Sequence, residues 1–459
     1  MIQTLTDTKM MFRDRTFLKK ALNIAFPVAM QGMLNTVVNL VDNLMIGSLG
    51  PIAIASVGLA NKVFFVFTLL VFGVVSGSGV LAAQYWGTKD LKNIRKVLGI
   101  ALLISLTGAV LFLLPARFWP EFMMRIFTTS EASIEMGAAY LAVAAISYPF
   151  TGVSNTYVAM LRAVNRVKGP VIISCVAIVV NIVFNYIFIF GKMGAPALGV
   201  VGAALATLIA RVVETCLLLC VVYLGKTPLA CRFGELFGYT KEFVKKFFKT
   251  AAPVICNEFV WGLGITIYSM AYGRMGDEAV AAITIATTIQ DIAVVLFQGL
   301  SAATAVILGN EMGAGKLKRA EVYAKYFFIL QFLLTIFAAL LIVALRWWII
   351  GFYQPGISDE VAMSVNRCLL VFALFTPFKM FNFVNVVGVL RSGGDTLMCL
   401  FIDTSGVWFI GIPLAFLGGL ALRQPIHIVY GMVMLEEVYK AIVGYFRYRQ
   451  KKWLKNLNS

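Results

Sequence analysis

The chain has few charged residues and almost none of the side chains that build metal or thiol sites. Charged residues make up 13% of its 459 residues, histidine occurs once, and none of the seven cysteines stands in a C-x-x-C pair. A soluble domain carries about a quarter charged residues, so this composition excludes an ordinary soluble protein. The cysteines are interpreted as small apolar core residues. We therefore expect no metal site and no bound cofactor.

Signals for nucleotide chemistry are missing as well. The segment Gly313-Ala-Gly-Lys316 imitates a phosphate-binding loop, but Leu317 stands where such a loop requires Ser or Thr. No ATPase segment is present, so any pumping must use an ion gradient, and we expect no enzyme activity. The net charge of +17 could suggest a nucleic acid as partner. The basic residues are concentrated in alternate short loops, however, which is the pattern of membrane topology, and we expect no nucleic acid.

Apolar sequence is what the chain has in abundance. Hydrophobic residues make up 60% of it, and apolar runs of about 20 residues, long enough to cross a bilayer, recur from end to end. The alternating pattern of a membrane β-barrel is absent. The sequence predicts an all-α polytopic membrane protein. Twelve spans are predicted near residues 21–47, 53–81, 97–117, 134–158, 170–191, 196–224, 250–273, 279–309, 325–350, 361–388, 396–420 and 424–446.

The distribution of lysine and arginine predicts the orientation of the spans. Loops on the side of the termini are rich in basic residues, as in the stretches Lys89–Lys96 and Lys241–Lys249. The opposite loops hold mainly single charges, such as Lys192 and Arg274. Because basic loops stay in the cytoplasm, both termini are expected to be cytoplasmic.

The two halves of the chain are related by an internal repeat. A shift of 226 residues aligns Pro27 with Pro253 and Gly47 with Gly273, and the match continues over about 65 residues without a gap. Six spans per repeat give both halves the same orientation, so the two six-helix lobes should be related by a pseudo-two-fold axis along the membrane normal.

The repeat and the loop composition together divide the chain into five segments. These are a cytoplasmic or interfacial N-terminus (1–20), an N-terminal six-helix lobe (21–225), a cytoplasmic linker (226–249), a C-terminal six-helix lobe (250–446) and a basic cytoplasmic tail (447–459).

Polar side chains form a stripe along the first span. Gln31, Asn35, Asn39 and Asp42 recur at helical spacings of four, four and three, so they line one face of the helix. A carboxylate inside a membrane span is costly unless it faces a protein interior or a wet cavity, which makes Asp42 a candidate functional site. The alternative is a structural, hydrogen-bonded acid. At the 226-residue shift, Tyr268 stands opposite Asp42, so the second half has no matching acid.

The second half offers its own polar groups in spans seven and eight. Asn257 and Glu258 lie on the same span as Trp261 and Tyr268. An acid near aromatic rings suits an organic cation, and the alternative is a contact that stabilises the lobe. Asp291 in span eight is a candidate wall of the substrate path, or the ionic partner of a basic residue.

Basic residues inside spans should have acidic partners, because a lone buried charge is costly. Lys62 and Lys379 are the unexpected ones, with Asp42 an option for Lys62 and Asp291 an option for Lys379. Arg211 and Glu214 are three residues apart and should pair on one helix face.

Several motifs resemble those of the multidrug and toxic compound extrusion (MATE) transporters. They cover nearly the whole chain, and their order and spacing are more specific than any one of them. The motifs are Asp42-Asn-Leu-Met-Ile-Gly-Ser-Leu-Gly, Ala82-Ala-Gln-Tyr-Trp-Gly87, Gly199-Val-Val-Gly-Ala-Ala-Leu-Ala-Thr207 and Leu390-Arg391-Ser-Gly-Gly-Asp395-Thr396.

The resemblance implies twelve helices in two lobes around a central cleft, and a cation-responsive site in the first lobe. Asp42 matches the acid of that site, Asn181 matches an asparagine of span five, and Thr207 matches a hydroxyl of span six. Asn185, one turn after Asn181, departs from the family pattern, which in one branch has an Asp there. Asp42 is then expected to be the only carboxylate of its pocket. Glu258 resembles a span-seven acid of another branch.

The resemblance also implies the function: secondary active export of organic, often cationic and amphipathic compounds, driven by inward movement of H⁺ or Na⁺. The residues assigned to the substrate cleft are Gln31, Asn35, Asn39, Asn257, Glu258, Trp261, Tyr268 and Asp291. We expect a monomer in a bacterial inner membrane, with small organic molecules and lipids as partners. A flippase for a lipid-linked oligosaccharide is the alternative within the wider superfamily, and a channel or receptor is a third possibility.

Overall fold

The computed structural model describes residues 2–353 and 357–458, and these ranges consist of helices and their connections, without a β-strand. The predicted N-terminal segment, C-terminal lobe and tail therefore include Met1, residues 354–356 and Ser459, which lie outside the described residues. The α-helices are α1 (Ile2–Arg13), α2 (Arg15–Gly47), α3 (Pro51–Gly87), α4 (Leu91–Phe118), α5 (Pro120–Arg125), α6 (Glu131–Ala144), α7 (Tyr148–Ala163), α8 (Lys168–Phe190), α9 (Val200–Leu224), α10 (Phe233–Phe237), α11 (Lys241–Gly273), α12 (Asp277–Gly313), α13 (Leu317–Tyr353), α14 (Asp359–Asn382), α15 (Thr396–Gly406), α16 (Ile412–Phe416) and α17 (Ile426–Arg449).

The all-α membrane fold predicted from the sequence is confirmed. Within the described ranges, eleven helical segments are long and apolar enough to cross a membrane. The predicted twelfth span corresponds to α17, whose interior carries two glutamates and a lysine that lower its apolarity. Charged groups at such a depth need partners inside the protein, and their partners are described with the site.

The internal repeat is visible in the helix boundaries. Helices α2 and α11 both have 33 residues, and α3 and α12 both have 37, with each pair offset by the same 226 residues. Gly50 and Gly276, which precede α3 and α12, have φ angles of 108° and 107°. That region of φ favours glycine, so both halves use glycine for the same turn between their first two spans.

The second half departs from the first where its helices widen into π-helical turns. Such turns occupy Phe383–Leu390 after α14, and Val407–Gly411 and Leu417–Ala421 on either side of α16. The corresponding spans of the first half have no π-turn: α8 is an uninterrupted α-helix, and a 3₁₀ turn at Ala145–Ser147 joins α6 to α7. Because π-turns in membrane and soluble helices often mark functional sites, this difference directs attention to the side chains beside them.

The chain divides into two compact units that do not coincide with the predicted lobe borders. The N-terminal unit comprises Met30–Ile255, and the C-terminal unit combines Met1–Ala29 with Cys256–Ser459. The division therefore falls inside α2 and α11, close to the aligned prolines Pro27 and Pro253. The predicted segments 21–225, 226–249 and 250–446 stay a prediction.

Each unit has its own apolar core. In the N-terminal unit the core is formed around Phe67 and Tyr148, whose rings stack with centroids 5.0 Å apart. In the C-terminal unit Phe297 and Phe372, both fully buried, belong to the corresponding core. Inside a membrane, close van der Waals packing of such side chains holds helices together, and here it fixes the helices that carry the polar site residues.

The connection between α9 and α11 is packed against the N-terminal unit. Leu229 and Leu236 are buried in it. Glu235 accepts a hydrogen bond of 2.8 Å from the Arg232 backbone N–H and forms an ion pair of 2.8 Å with Arg95 of α4. The backbone hydrogen bond and the Arg95 charge hold the pKa of Glu235 below its usual range. The predicted linker is thus an ordered connection.

Candidate functional site

Asp42 lies in a chain of hydrogen bonds that joins three helices of the N-terminal unit. Its Oδ1 accepts from Asn185 Nδ2 at 2.6 Å, and the same amide nitrogen is 3.2 Å from Asn181 Oδ1. Asn181 Nδ2 donates to Thr207 Oγ1 at 3.4 Å, and Thr207 donates to the Ala203 carbonyl at 3.0 Å. The structure therefore brings together the four residues assigned to the cation site from the sequence.

The helical periodicity explains why these side chains meet. Asn181 and Asn185 are one turn apart on α8, so both face the same side of that helix. Asn185 is 1% exposed, and its Oδ1 has no hydrogen-bond partner among the described residues. A buried acceptor without a donor is costly. The pocket thus offers carboxylate, amide and hydroxyl oxygens, which are the ligands that a proton or a hard monovalent cation requires.

A second polar network of the N-terminal unit was only partly predicted. The expected ion pair between Arg211 and Glu214 is confirmed, with Nη1 and Oε2 2.7 Å apart. The other carboxylate oxygen of Glu214 accepts from Ser174 Oγ at 3.0 Å, and Gln31 Nε2 donates to Ser174 at 2.8 Å. Gln31 thus joins Glu214 and not the hydrogen-bond chain of Asp42.

The rest of the predicted stripe is more exposed. The side chains of Asn35 and Asn39 are exposed on α2, and neither forms a side-chain hydrogen bond with the described residues. Lys62 of α3 is also exposed and has no ion pair in the described ranges, so the structure does not bring it to Asp42, which accepts from Asn185 instead. The stripe is therefore hydrogen-bonded at its two ends, Gln31 and Asp42, and exposed between them.

Glu258 of the C-terminal unit is paired with a buried cation. Arg391 Nη2 donates to Glu258 Oε1 at 3.0 Å, and the Arg391 side chain is 2% exposed. Asn257 Nδ2 donates to Asp403 Oδ2 at 3.0 Å, and Asp403 is 4.0 Å from Arg391. Sequence reasoning missed both partners, although Arg391 stands in a quoted motif, because helical spacing does not reveal which helices face each other.

Tyr268 is not an open aromatic wall. It is buried, and its hydroxyl donates to Glu436 Oε2 of α17. Glu436 also pairs with Lys440 at 3.3 Å. The expectation that Lys379 has an acidic partner is confirmed, but the partner is Glu437 at 3.2 Å and not Asp291. Glu436, Glu437 and Lys440 of α17 were not recognised from the sequence.

Trp261 and Asp291 are the exposed members of the predicted cleft set in the C-terminal unit. Trp261 is 40% exposed on α11. Asp291 of α12 is exposed and has neither an ion pair nor a hydrogen bond with the described residues. Thr287 and Thr288 of the same helix donate to backbone carbonyls of their own helix. Trp261 and Asp291 are therefore available to solvent or to a bound molecule.

No group of three or more histidine, cysteine, aspartate or glutamate side chains in metal-binding proximity occurs in residues 2–353 and 357–458. The acids of the site are instead bonded to amides, hydroxyls, lysine and arginine. Such sets serve proton or monovalent-cation binding and ion pairing, and they differ from the N/S ligand sets of transition metals.

Comparison with known proteins finds similar transporters that match this chain over nearly its full length. The MatE family model matches residues 27–187 and 253–417. The uncharacterized transporter YisQ of Bacillus subtilis is 23% identical over 448 residues, which are 96% of each chain. The probable multidrug resistance protein NorM of Thermotoga maritima is 25% identical, over 87% of this chain and 85% of its own. The multidrug resistance protein PmpM of Pseudomonas aeruginosa is 24% identical, over 89% and 85%.

Solved structures share the fold. The outward-facing conformation of a multidrug resistance MATE family transporter has a TM-score of 0.86 at 19% identity, covering 94% of this chain and 95% of that one. A MOP superfamily transporter from Pyrococcus furiosus, described as having a binding pocket of reverse polarity, has a TM-score of 0.86 at 20% identity and 96% coverage of both chains. With the family match on both halves of the repeat, the chain belongs to the MatE family and is a multi-pass MATE multidrug efflux transporter, not an enzyme.

Proposed function

We propose that this transporter exports organic cations in exchange for a proton or a sodium ion that binds at Asp42. The observation that carries the proposal is the hydrogen-bond chain from Asp42 through Asn185 and Asn181 to Thr207. Family members use ion gradients. In this hydrogen-bond chain a carboxylate of a membrane span meets the buried amide oxygen of Asn185, which has no hydrogen-bond partner among the described residues.

Cation binding at Asp42 can change the contacts between helices. The ionised carboxylate accepts from Asn185, whereas a protonated carboxyl becomes a donor and a bound Na⁺ draws oxygens toward itself. Either event reorients the Asn185 amide, which also contacts Asn181. Residues of α2, α8 and α9 form this hydrogen-bond chain. Binding of a cation at Asp42 therefore shifts the balance between alternative packings of the three helices. A ligand that prefers one packing stabilises it.

The exposed acid Asp291 supports a cationic substrate. An ionisable residue within a membrane-length helix should face a wet cavity or a partner, and Lys379, its expected partner, is paired with Glu437. Trp261, also exposed, provides an aromatic face of the kind that attracts organic cations. We assign Asp291 and Trp261 of the C-terminal unit to substrate contact. In the N-terminal unit we assign Asn35 and Asn39 to the same role, as polar groups. Glu258 and Tyr268 are assigned to the structural framework.

We further propose that the protein works as a monomer in a bacterial inner membrane, with both termini in the cytoplasm and lipids around its apolar faces. The names of bacterial relatives support the membrane, and the basic loops support the orientation. The oligosaccharide flippase is less well supported. An anionic head group would need basic residues in the spans, for which Lys62, Lys379 and Arg211 are the candidates. Of these, Lys379 is held by Glu437 and Arg211 by Glu214.

The test is efflux of a fluorescent organic cation from proteoliposomes in which the Na⁺ and H⁺ gradients are imposed independently. We expect one of the two gradients to accelerate efflux and the corresponding ionophore to abolish that acceleration. A rate that follows neither gradient would contradict cation exchange. Transport of a lipid-linked anion with no transport of cations would favour the flippase instead.

A further inference from the structure

Three charged side chains are buried together in the C-terminal unit, and a fourth, partly exposed one pairs with them. Glu436, Glu437 and Lys440 of α17 are 7%, 6% and 4% exposed, and Lys379 of α14 reaches them from the neighbouring helix. We call these residues the lysine–glutamate cluster. Two negative and two positive charges balance each other, so the cluster needs no further ion to be neutral.

Glu436 is the first of the two acids in the lysine–glutamate cluster. Its Oε2 accepts from the Tyr268 hydroxyl, and its Oε1 is 3.3 Å from Lys440 Nζ. The lysine stem passes over Gly406, where a Cβ would stand 2.5 to 3.2 Å from the Lys440 side-chain carbons. The absence of a side chain at Gly406 is therefore what allows the ammonium group to reach Glu436.

Glu437 is the second acid of the lysine–glutamate cluster. Lys379 Nζ is 3.2 Å from its Oε1, and Asn382 Nδ2 donates to its Oε2 at 2.8 Å and to its backbone carbonyl at 2.7 Å. Asn382 Oδ1 is buried and has no partner among the described residues. Each carboxylate thus has an ammonium group beside it, together with a hydroxyl at Glu436 and an amide at Glu437.

The two lysines compensate the negative charges of the two glutamates. An ionised carboxylate in a low-dielectric interior must be compensated by a cation or by protonation. The lysine ammonium is a compact, monovalent point charge with three donors. In charge it is equivalent to a bound Na⁺ ion, and its covalent stem holds it in place without any dependence on the solution.

We propose that Lys440 and Lys379 are built-in cations, occupying the positions that monovalent ions would otherwise take beside Glu436 and Glu437. The C-terminal unit then needs no exchangeable cation. A latent monovalent-cation site is hidden under Lys440, lined by Glu436 and Tyr268. This inference concerns a site that the proposed exchange at Asp42 does not use, and it stands or fails separately from that exchange.

The experiment removes the built-in cation and offers a free one. In an Asp42→Asn background, which takes away the other candidate cation site, Lys440→Ala is purified and its thermal unfolding is measured in NaCl, LiCl, methylammonium chloride and choline chloride at equal ionic strength. If a small cation binds at millimolar affinity, 100 mM of it should raise the midpoint on the order of 3 °C above that in choline chloride. The parent with Lys440 intact should show no such difference.

The matched control is the double replacement Glu436→Gln with Lys440→Ala, which keeps the space but removes the carboxylate. The gain from Na⁺, Li⁺ or methylammonium should disappear in it. Equal midpoints in all four salts for Lys440→Ala, or an equal gain in the control, would overturn the proposal. If Lys440→Ala folds only when a small cation is present during purification, the proposal is supported. Failure to fold in every salt contradicts it, because a free cation then cannot replace the lysine.

Discussion

At the scale of single residues, the intramembrane acids differ in what they are bonded to. Glu258 pairs with Arg391, and Glu436 pairs with Lys440. Asp42 instead accepts from the neutral amide of Asn185. An acid already compensated by a fixed cation gains little from a proton or an ion, whereas an acid held by neutral donors can accept one. This contrast is the physical basis for assigning cation exchange to Asp42.

The pair of Glu258 and Arg391 should therefore behave as a structural element. Replacing Arg391 by Met leaves a buried carboxylate unpaired, and we expect a loss of about 3–5 kcal/mol in the free energy of unfolding, measured by thermal unfolding in detergent. Adding Glu258→Gln should restore most of this loss. A single replacement that leaves the unfolding midpoint unchanged would contradict the structural role.

Some residues of the site could be predicted from the sequence, and others could not. Asn181 and Asn185 were predictable because one helix carries both, one turn apart. Arg391, Asp403 and Glu436 were not, because their partners lie on other helices and the pairing depends on which faces pack together. Asp42 accepts from the Asn185 amide, and Glu214 belongs to the adjoining network. That Asp42 is the only carboxylate of its pocket stays a prediction.

At the scale of helices, close packing depends on two glycines of α3. A Cβ at Gly77 would stand 2.6 Å from Ala251 Cα, and one at Gly73 would stand 2.6 Å from Ile255 Cα. Both partners lie on the part of α11 that belongs to the N-terminal unit. The helices approach within this distance only because the two positions carry no side chain.

Gly79 provides a matched control on the same helix, since a Cβ there meets nothing within 4 Å. We expect Gly77→Ala to lower the free energy of unfolding by about 1–3 kcal/mol through overpacking. Gly79→Ala should raise it by about 0.5–1 kcal/mol because alanine favours helix. Thermal unfolding of the two variants side by side makes the comparison, and equal effects would mean that the two helices are not in close contact at Gly77.

The tail after α17 is a packed element of the C-terminal unit. Trp453 is fully buried, donates from Nε1 to the Tyr448 carbonyl at 3.2 Å and stacks on the Tyr448 ring at 5.7 Å. Arg447 forms a bidentate pair with Asp395 at 2.6 and 2.8 Å, and Lys451 pairs with Glu321 at 2.7 Å. Composition alone predicted only a basic tail, because one tryptophan among lysines gives no periodic signal.

Trp453→Ala should cost about 3–5 kcal/mol of unfolding free energy, as expected for a large aromatic side chain removed from a core. Trp348, 65% exposed, is the control, and its replacement by Ala should change the free energy by no more than about 0.5 kcal/mol. Similar midpoints for the two variants would show that the tail does not contribute to folding.

At the scale of the whole molecule, the repeat was the most reliable prediction. The offset of 226 residues recurs in the starts of α2 and α11, α3 and α12, and α4 and α13, because turn glycines and span lengths are local properties. The division of the chain inside α2 and α11 was not predicted. It depends on where each part of a long helix packs, which hydropathy does not report. The halves share a scaffold but carry different charges.

The basic loops predict the orientation of this molecule. We expect green fluorescent protein fused after Ser459 to be fluorescent and alkaline phosphatase fused there to be inactive, since both termini should be cytoplasmic. Fusions in the loop at Lys192, on the opposite side, should give the reverse result. Active phosphatase at the C-terminus would contradict the predicted topology.

The central claim is that Asp42 is the carboxyl group through which a cation gradient drives export. Its most direct test is gradient-driven efflux by Asp42→Asn in proteoliposomes, compared with the unaltered protein and with Glu258→Gln as a second isosteric change in a span. We predict that Asp42→Asn loses the gradient-dependent part of the rate, a fall of about 10-fold or more, while its substrate binding persists and Glu258→Gln still responds to the gradient. Full gradient-driven efflux by Asp42→Asn would contradict the claim.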